Sequence, residues 1–303
     1  MAEQLVRIGD IEIAYEEFGE PDGPALLLVM GLGVQMLGWD TEFCELLAGE
    51  GFRVVRFDNR DVGRSTQYDG PVPDWPALLG GDRSSATYLL DDMADDAVKL
   101  LDHLGIDAAH LVGASLGGMI AQTIAIRHPD RALSLTSIMS RPGDPASGQP
   151  HPEAFEALLN PPPNDREAIA DWAARNWDVI GSPGFERDTD AIRRRAQESY
   201  DRGYNPRGVG RQLAAIIASG DRTADLAKLD LPTLVIHGEA DPLIDVSGGR
   251  ATAAAIPGAK LITIPGMGHD LPRELWSRFV EEIAANAQRV TDPKMRSGTP
   301  QGP

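Results

Sequence analysis

A single cysteine, Cys44, stands in a chain of 303 residues. It has no partner for an internal disulfide, so cysteine usage gives no sign of an oxidising compartment. Cys44 falls in residues 39–49, a predicted amphipathic helix. Nothing near it in sequence would lower its pKa, and it reads as a small core residue. Basic residues are also scarce: 28 Lys and Arg against 46 Asp and Glu leave a net charge of −18. That balance excludes the basic face a nucleic-acid partner requires. It equally excludes electrostatic docking on an anionic membrane, and the acidity itself reads as a device for solubility. No apolar run approaches the roughly 18 residues of a membrane span. Met1-Ala2-Glu3-Gln4 lacks the basic start and long apolar stretch of a secretory signal. Together these absences predict a cytoplasmic protein without stable membrane association.

What is present is ordinary for a globular fold: 42% apolar and 24% charged residues, enough for a large core without metal or disulfide staples. Strand-like runs recur at 5–8, 11–18, 25–30, 53–57, 110–113, 133–139, 233–237 and 260–264. The second alternates apolar and polar residues, as a half-exposed antiparallel strand does. Leu26-Leu27-Leu28-Val29-Met30 and Leu234-Val235-Ile236 are continuously apolar, as strands covered on both faces are. Helical patterns occupy 39–49, 88–104, 116–128, 246–255 and 272–288, the last with Pro272 suited to a first helical turn. Hairpin strands followed by alternating strand and helix indicate an α/β fold with a mostly parallel sheet.

The alternation breaks between 141 and 228, where no strand is predicted. A Pro-rich stretch (141–163) precedes helices near 165–180, 189–202 and 208–219. This region reads as a helical cap inserted over the C-terminal edge of the sheet. Residues 66–85 read as a loop near the same edge, and 291–303 as a disordered polar tail. The predicted organisation is a core formed by 1–140 and 229–290, a cap at 141–228, and the tail.

Gly113-Ala114-Ser115-Leu116-Gly117 is a G-x-S-x-G pattern. Alone it is a weak signal, and a small-residue turn with an incidental serine would also produce it. Its context is more specific, because it ends a predicted strand and opens a predicted helix. A serine in so sharp a turn needs neighbours without bulk, which Gly113 and Gly117 provide. Gly118 then lets the helix pack closely on the strand. The turn would present the Ser115 hydroxyl as a nucleophile and place the Leu116 N–H at a helix N-terminus, which favours negative charge.

A serine hydroxyl needs a general base at neutral pH. Of six histidines, His269 alone lies in a loop directly after the last strand, at the edge where Ser115 is expected. His237 ends a strand and reads as a supporting residue. The acid that orients the base should come from another strand end. Asp241 in His237-Gly238-Glu239-Ala240-Asp241-Pro242 is the first choice, with Asp245 and Glu239 as alternatives. The chain order Ser115, Asp241, His269 differs from the two other common serine-hydrolase orders. Acyl transfer also requires two N–H donors for the oxyanion. Leu116 supplies one. Leu32, in Met30-Gly31-Leu32-Gly33, is the candidate second, unless that segment is a simple glycine turn. Gly31, Trp39, Trp172 and Trp177 are candidate substrate-binding positions, with Tyr204 a further aromatic of the cap. Each aromatic could equally be core packing.

Residues 112–119, 238–241 and 266–269 resemble the elbow, acid loop and histidine loop of α/β-hydrolases. Asp58-Asn59-Arg60-Asp61-Val62-Gly63-Arg64-Ser65 is similar to their D-x-R-G-x-G-x-S segment, with Asp61 where glycine is common. Met30-Gly31 replaces a frequent histidine-glycine pair, which brings the chain closer to the aclacinomycin-methylesterase-like branch. The resemblance extends over about residues 5–288. It implies an α/β-hydrolase fold with an eight-stranded, mostly parallel sheet, a helical cap, and hydrolysis of a small-molecule carboxylic ester of small or medium apolar character through an acyl-enzyme. No metal or organic cofactor is implied. Cofactor-free perhydrolysis and a non-catalytic ligand-binding role stand as alternatives, and homo-oligomerisation is left open.

Overall fold

The computed structural model describes residues 2–70 and 73–290; the predicted tail, 291–303, lies outside them. The chain runs β1 (Gln4–Ile8), β2 (Ile11–Phe18), β3 (Ala25–Val29), α1 (Thr41–Gly49), β4 (Arg53–Phe57), α2 (Trp75–Leu79), α3 (Leu90–His103), β5 (Ala109–Ala114), α4 (Leu116–Arg127) and β6 (Ala132–Ile138). Five helices follow: α5 (Pro152–Leu159), α6 (Arg166–Ile180), α7 (Thr189–Arg202), α8 (Pro206–Ser219) and α9 (Thr223–Leu226). The chain then returns through β7 (Thr233–Gly238), α10 (Ser247–Ala255), β8 (Lys260–Ile264) and α11 (Trp276–Gln288).

The eight strands form one sheet in the order β1-β2-β4-β3-β5-β6-β7-β8. Strands β1 and β2 pair antiparallel, as do β2 and β4, and every later pairing is parallel. The apolar run of β3 is divided between two cores by its pleat. Leu27 and Val29 face the cluster built with α3 and α4. Leu26 and Leu28 face the cluster built with α1 and α11. Period-two alternation in a doubly covered strand therefore requires apolar residues at every position.

Among the described residues the segment between β6 and β7 contains no strand. Three of its helices, α6, α7 and α8, start at side-chain caps. Asp165 accepts the Glu167 and Ala168 amides (3.1 and 2.7 Å), Asp188 that of Ala191 (2.8 Å), and Asn205 that of Gly208 (3.2 Å). Such caps satisfy donors that the first helical turn leaves open.

Three expectations need correction. The Pro-rich stretch contains a helix, α5, because Pro152 sits at its N-terminus, where a missing N–H is harmless. The loop at 66–85 likewise contains α2, capped by Asp74. Pro272, by contrast, precedes its helix. Its φ of −55° and ψ of 135° are extended. Leu275 closes a 3₁₀ turn onto the Pro272 carbonyl (3.0 Å) before α11 begins. No helix among the described residues is long and apolar enough to cross a membrane.

Candidate active site

Parallel pairing of β3 and β5 through β8 sends their C-terminal ends to one edge, so the loops after β5, β7 and β8 meet there. Ser115 stands between β5 and α4 with φ 55° and ψ −121°, a left-handed conformation strained for a residue with a side chain. The two glycines flanking it are sterically required. A Cβ on Gly113 would lie 2.1 Å from the Gly117 carbonyl oxygen, and one on Gly117 would lie 2.0 Å from that of Val29. The Ser115 amide donates to Ile138 (2.9 Å), and Ser140 Oγ donates to the Ser115 carbonyl (2.8 Å). The strained turn is thus held from β6 and the residues just after it.

The Ser115 Oγ lies 2.9 Å from His269 Nε2, and His269 Nδ1 lies 2.7 Å from Asp241 Oδ2. Asp241 Oδ1 accepts the Leu243 and Ile244 amides, each at 2.9 Å. One oxygen is fixed by its own turn and the other is left to the imidazole. Burial pushes the Asp241 carboxyl up, but the charge of His269 and hydrogen bonds from His237 and His269 outweigh it. They hold the group well below the usual carboxylate range. An ionised Asp241 accepts only, so His269 carries its proton on Nδ1 and offers Nε2 to the hydroxyl. The other acid candidates are engaged elsewhere: Asp245 accepts the Ser247 amide (2.9 Å) and Glu239 accepts the Thr263 hydroxyl (2.7 Å). His237 is fully buried, with Nε2 2.7 Å from the Ile244 carbonyl and 3.5 Å from Asp241 Oδ2.

Gly31 packs against the elbow; a Cβ there would sit 3.2 Å from Ser115 Cβ. Among the described residues neither the Leu32 nor the Leu116 amide has an acceptor. Residues of the Asp58–Ser65 segment hold both ends of the Leu32 loop. Asn59 Nδ2 donates to the Met30 carbonyl (3.0 Å), and the Met36 amide donates to Asp58 Oδ1 (2.8 Å). The histidine loop is gripped from the helical insertion. The His269 amide donates to Ile180 (2.7 Å) and the Gly268 amide to Ser182 Oγ (2.8 Å).

Not every predicted residue reaches this edge. Trp39 is fully buried and stacked on Phe43, with ring centroids 5.7 Å apart. It belongs to the core beneath α1, so the core-packing reading of this aromatic applies. Trp172 and Trp177 are half-buried on α6, and the Tyr204 hydroxyl donates to the Pro162 carbonyl (2.6 Å). Asp61 adopts φ 72°, the left-handed turn that its common glycine counterpart would favour. Its carboxylate accepts Arg211 Nε and Nη2 (both 2.8 Å), Tyr88 OH (2.7 Å) and the Tyr68 amide (2.8 Å). Sequence reasoning passed over Asn59, Ser182 and Gln212. The one available sign was a polar side chain among apolar helix neighbours, since Gln212 has Val209, Ala215 and Ile216 one turn away on α8.

A family model for the alpha/beta hydrolase fold matches residues 24–272. The chain therefore belongs to the α/β-hydrolase fold family. It is similar to the rhodomycin D methylesterase of Streptomyces sp. (strain C5), 29% identical over 96% of this chain and 100% of that protein. It is also similar to a bifunctional esterase/perhydrolase of Acinetobacter calcoaceticus, 28% identical over 86% of this chain and 91% of that one. Among solved structures, a hydrolase from Pseudomonas aeruginosa PA01 matches with a TM-score of 0.68 at 25% identity, over 95% of this chain and 98% of that chain. A methylesterase among these relatives agrees with the branch indicated by Met30-Gly31.

Proposed function

We propose that the chain hydrolyses carboxylic esters with Ser115 as nucleophile, His269 as general base and Asp241 as the residue that orients it. The continuous hydrogen-bonded line from Ser115 Oγ through His269 to Asp241 carries this reading. His269 Nε2 takes the hydroxyl proton as Ser115 Oγ attacks the ester carbonyl. The Leu32 and Leu116 amides receive the oxyanion. His269 then protonates the departing alcohol, leaving an acyl-enzyme, and water repeats the sequence to release the acid. Residues 141–228 act as the cap over this edge. Gly31 and the aromatic rings of α6 are the proposed contacts for a small or medium apolar ester. The name of the rhodomycin D methylesterase relative favours a methyl ester among such esters. The lone buried cysteine fits a reducing cytoplasm.

The test is a panel of esters of graded acyl and alcohol size, run with the parent and Ser115→Ala. Turnover that disappears in the variant supports the assignment, and equal turnover by both refutes it. The esterase/perhydrolase relative favours a second use of the same acyl-enzyme. Peroxide in place of water would release a peracid, and a partition ratio that ignores added peroxide argues against it.

A further inference from the structure

The Leu32 loop is held at both ends by the core, but its middle is held by the insertion. The Gly33 amide, the next N–H after the proposed oxyanion donor, gives its hydrogen to Gln212 Oε1 at 2.8 Å. The same side chain donates through Nε2 to the Arg60 carbonyl at 2.8 Å. Gln212 is fully buried on α8, and each half of its amide is matched to a backbone group of opposite character. Gly33 has φ 67°, and a Cβ there would lie 2.8 Å from Val209 Cγ2, one turn away on α8. A second strap lies nearby: Gln35 Nε2 donates to the Ser199 and Gly203 carbonyls (2.7 and 2.9 Å).

Physically, a glycine-rich loop that must aim one amide at a developing charge needs restraint at that amide. Catalysis by preorganised donors depends on their not reorienting during the reaction. Without Gln212, the peptide between Leu32 and Gly33 loses its only acceptor among the described residues. The peptide that carries the Leu32 N–H keeps one tie, the Val34 amide on the Gly31 carbonyl at 3.2 Å, but loses the restraint on the peptide that follows it. We infer that Gln212 is a positioning residue for oxyanion stabilisation, a contribution from the insertion to the chemistry of the core. The inference rests on the proposed roles of Ser115 and Leu32. It couples docking of α8 to the rate of acyl transfer rather than to substrate affinity alone.

The experiment compares Gln212→Leu and the milder Gln212→Asn with the parent, Ser115→Ala, and Ala214→Gly, which weakens α8 at a position without contact to the loop. Each is assayed for kcat and KM on one ester and for inhibition by a trifluoromethyl ketone, whose serine adduct carries an oxyanion. Removing a whole donor costs about 10²–10³ in kcat; loosening one should cost less, so about 10- to 100-fold is expected for Gln212→Leu. KM should change by less than about threefold, and ketone affinity should fall in step with kcat/KM. Ala214→Gly should lower the melting temperature and leave both kinetic readouts near the parent. Parent-like kcat and ketone affinity in either folded Gln212 variant would overturn the inference. So would Ala214→Gly reproducing the same loss, since a general loosening of α8 would then account for it. Full turnover by Ser115→Ala would remove the triad reading and this inference with it. A dead Ser115→Ala beside parent-like Gln212 variants would remove only the latter.

Discussion

Replacing Asp61 by glycine would restore the residue common in similar segments and sets two terms against each other. The left-handed backbone at φ 72° costs a residue with a side chain roughly 1–2 kcal/mol, which glycine would recover. Against this, Arg211 and Asp61 form a bidentate pair with side chains 2% and 0% exposed. Breaking such a pair from one side costs about 3–5 kcal/mol, because an uncompensated guanidinium stays buried. The pair wins, and Asp61→Gly should destabilise by about 1–4 kcal/mol. At about 2 °C per kcal/mol for a chain of this size, the melting temperature falls by about 2–8 °C. Adding Arg211→Met should recover most of the loss, since an apolar replacement of both partners leaves no buried charge. The pH dependence has a definite sign. Burial pushes the Asp61 carboxyl up, but hydrogen bonds from Arg211, Tyr88 and the Tyr68 amide bring it below its ordinary value. A folded pKa below the unfolded one contributes stability that is present above about pH 4 and lost as pH falls through the folded value. The gap between parent and Asp61→Gly should therefore narrow on acidification. Thermal and urea melts of the two single variants and the double variant, at neutral and acid pH, test the chain of reasoning. An Asp61→Gly protein as stable as the parent, or no recovery from Arg211→Met, would refute it.

Asp241→Asn should lower kcat by about 10⁴-fold while leaving the fold intact, by the logic of a lost tautomer lock; a loss under about tenfold would point to another acid. Because Asp241 is held below the ordinary carboxylate range, the acid limb of kcat/KM should fall with a slope of one, and a slope of two would count against a permanently ionised aspartate. Gly117→Ala would drive a Cβ to 2.0 Å from a backbone oxygen. It should cost more than the roughly 1–3 kcal/mol of ordinary overpacking, so a folded and active variant by circular dichroism and assay would contradict the elbow geometry. Burial pushes the Cys44 thiol up to about 12. Ellman's reagent should leave it untouched in the native protein and titrate one thiol per chain on unfolding.

The strands were legible because a doubly covered parallel sheet writes itself as short apolar runs, and β3 shows the cause in its division between two cores. The helices α6, α7 and α8 were legible from their periodicity, although Asn205 and Pro206 start α8 two residues before the expected 208. Helices α2 and α5 were hidden by prolines, which mark loops except in a first turn. In α5 they were hidden also by an apolar pattern that exposes Phe155 and Leu159. The order of three loops led to the residues that meet around His269, because strand direction is a topological property that short motifs report. The straps on those loops were not legible. Gln212 acts across 179 residues of sequence on Gly33, and no local pattern encodes a contact of that span. Trp39 was ambiguous for a related reason, since bulk and aromaticity suit a pocket wall and a core equally.

The insertion between β6 and β7 touches both sides of the reacting centre, through the Ile180 carbonyl on His269 and the Gln212 amide on Gly33. In many modular enzymes the part that selects and the part that reacts can be exchanged independently. Here a transplant of 141–228 from a relative would carry away two of the fastenings that set reaction geometry. On the proposed roles of the cap and the two loops, selectivity and speed are inherited together, and a chimera keeps its rate only if the incoming segment brings its own ties to both loops.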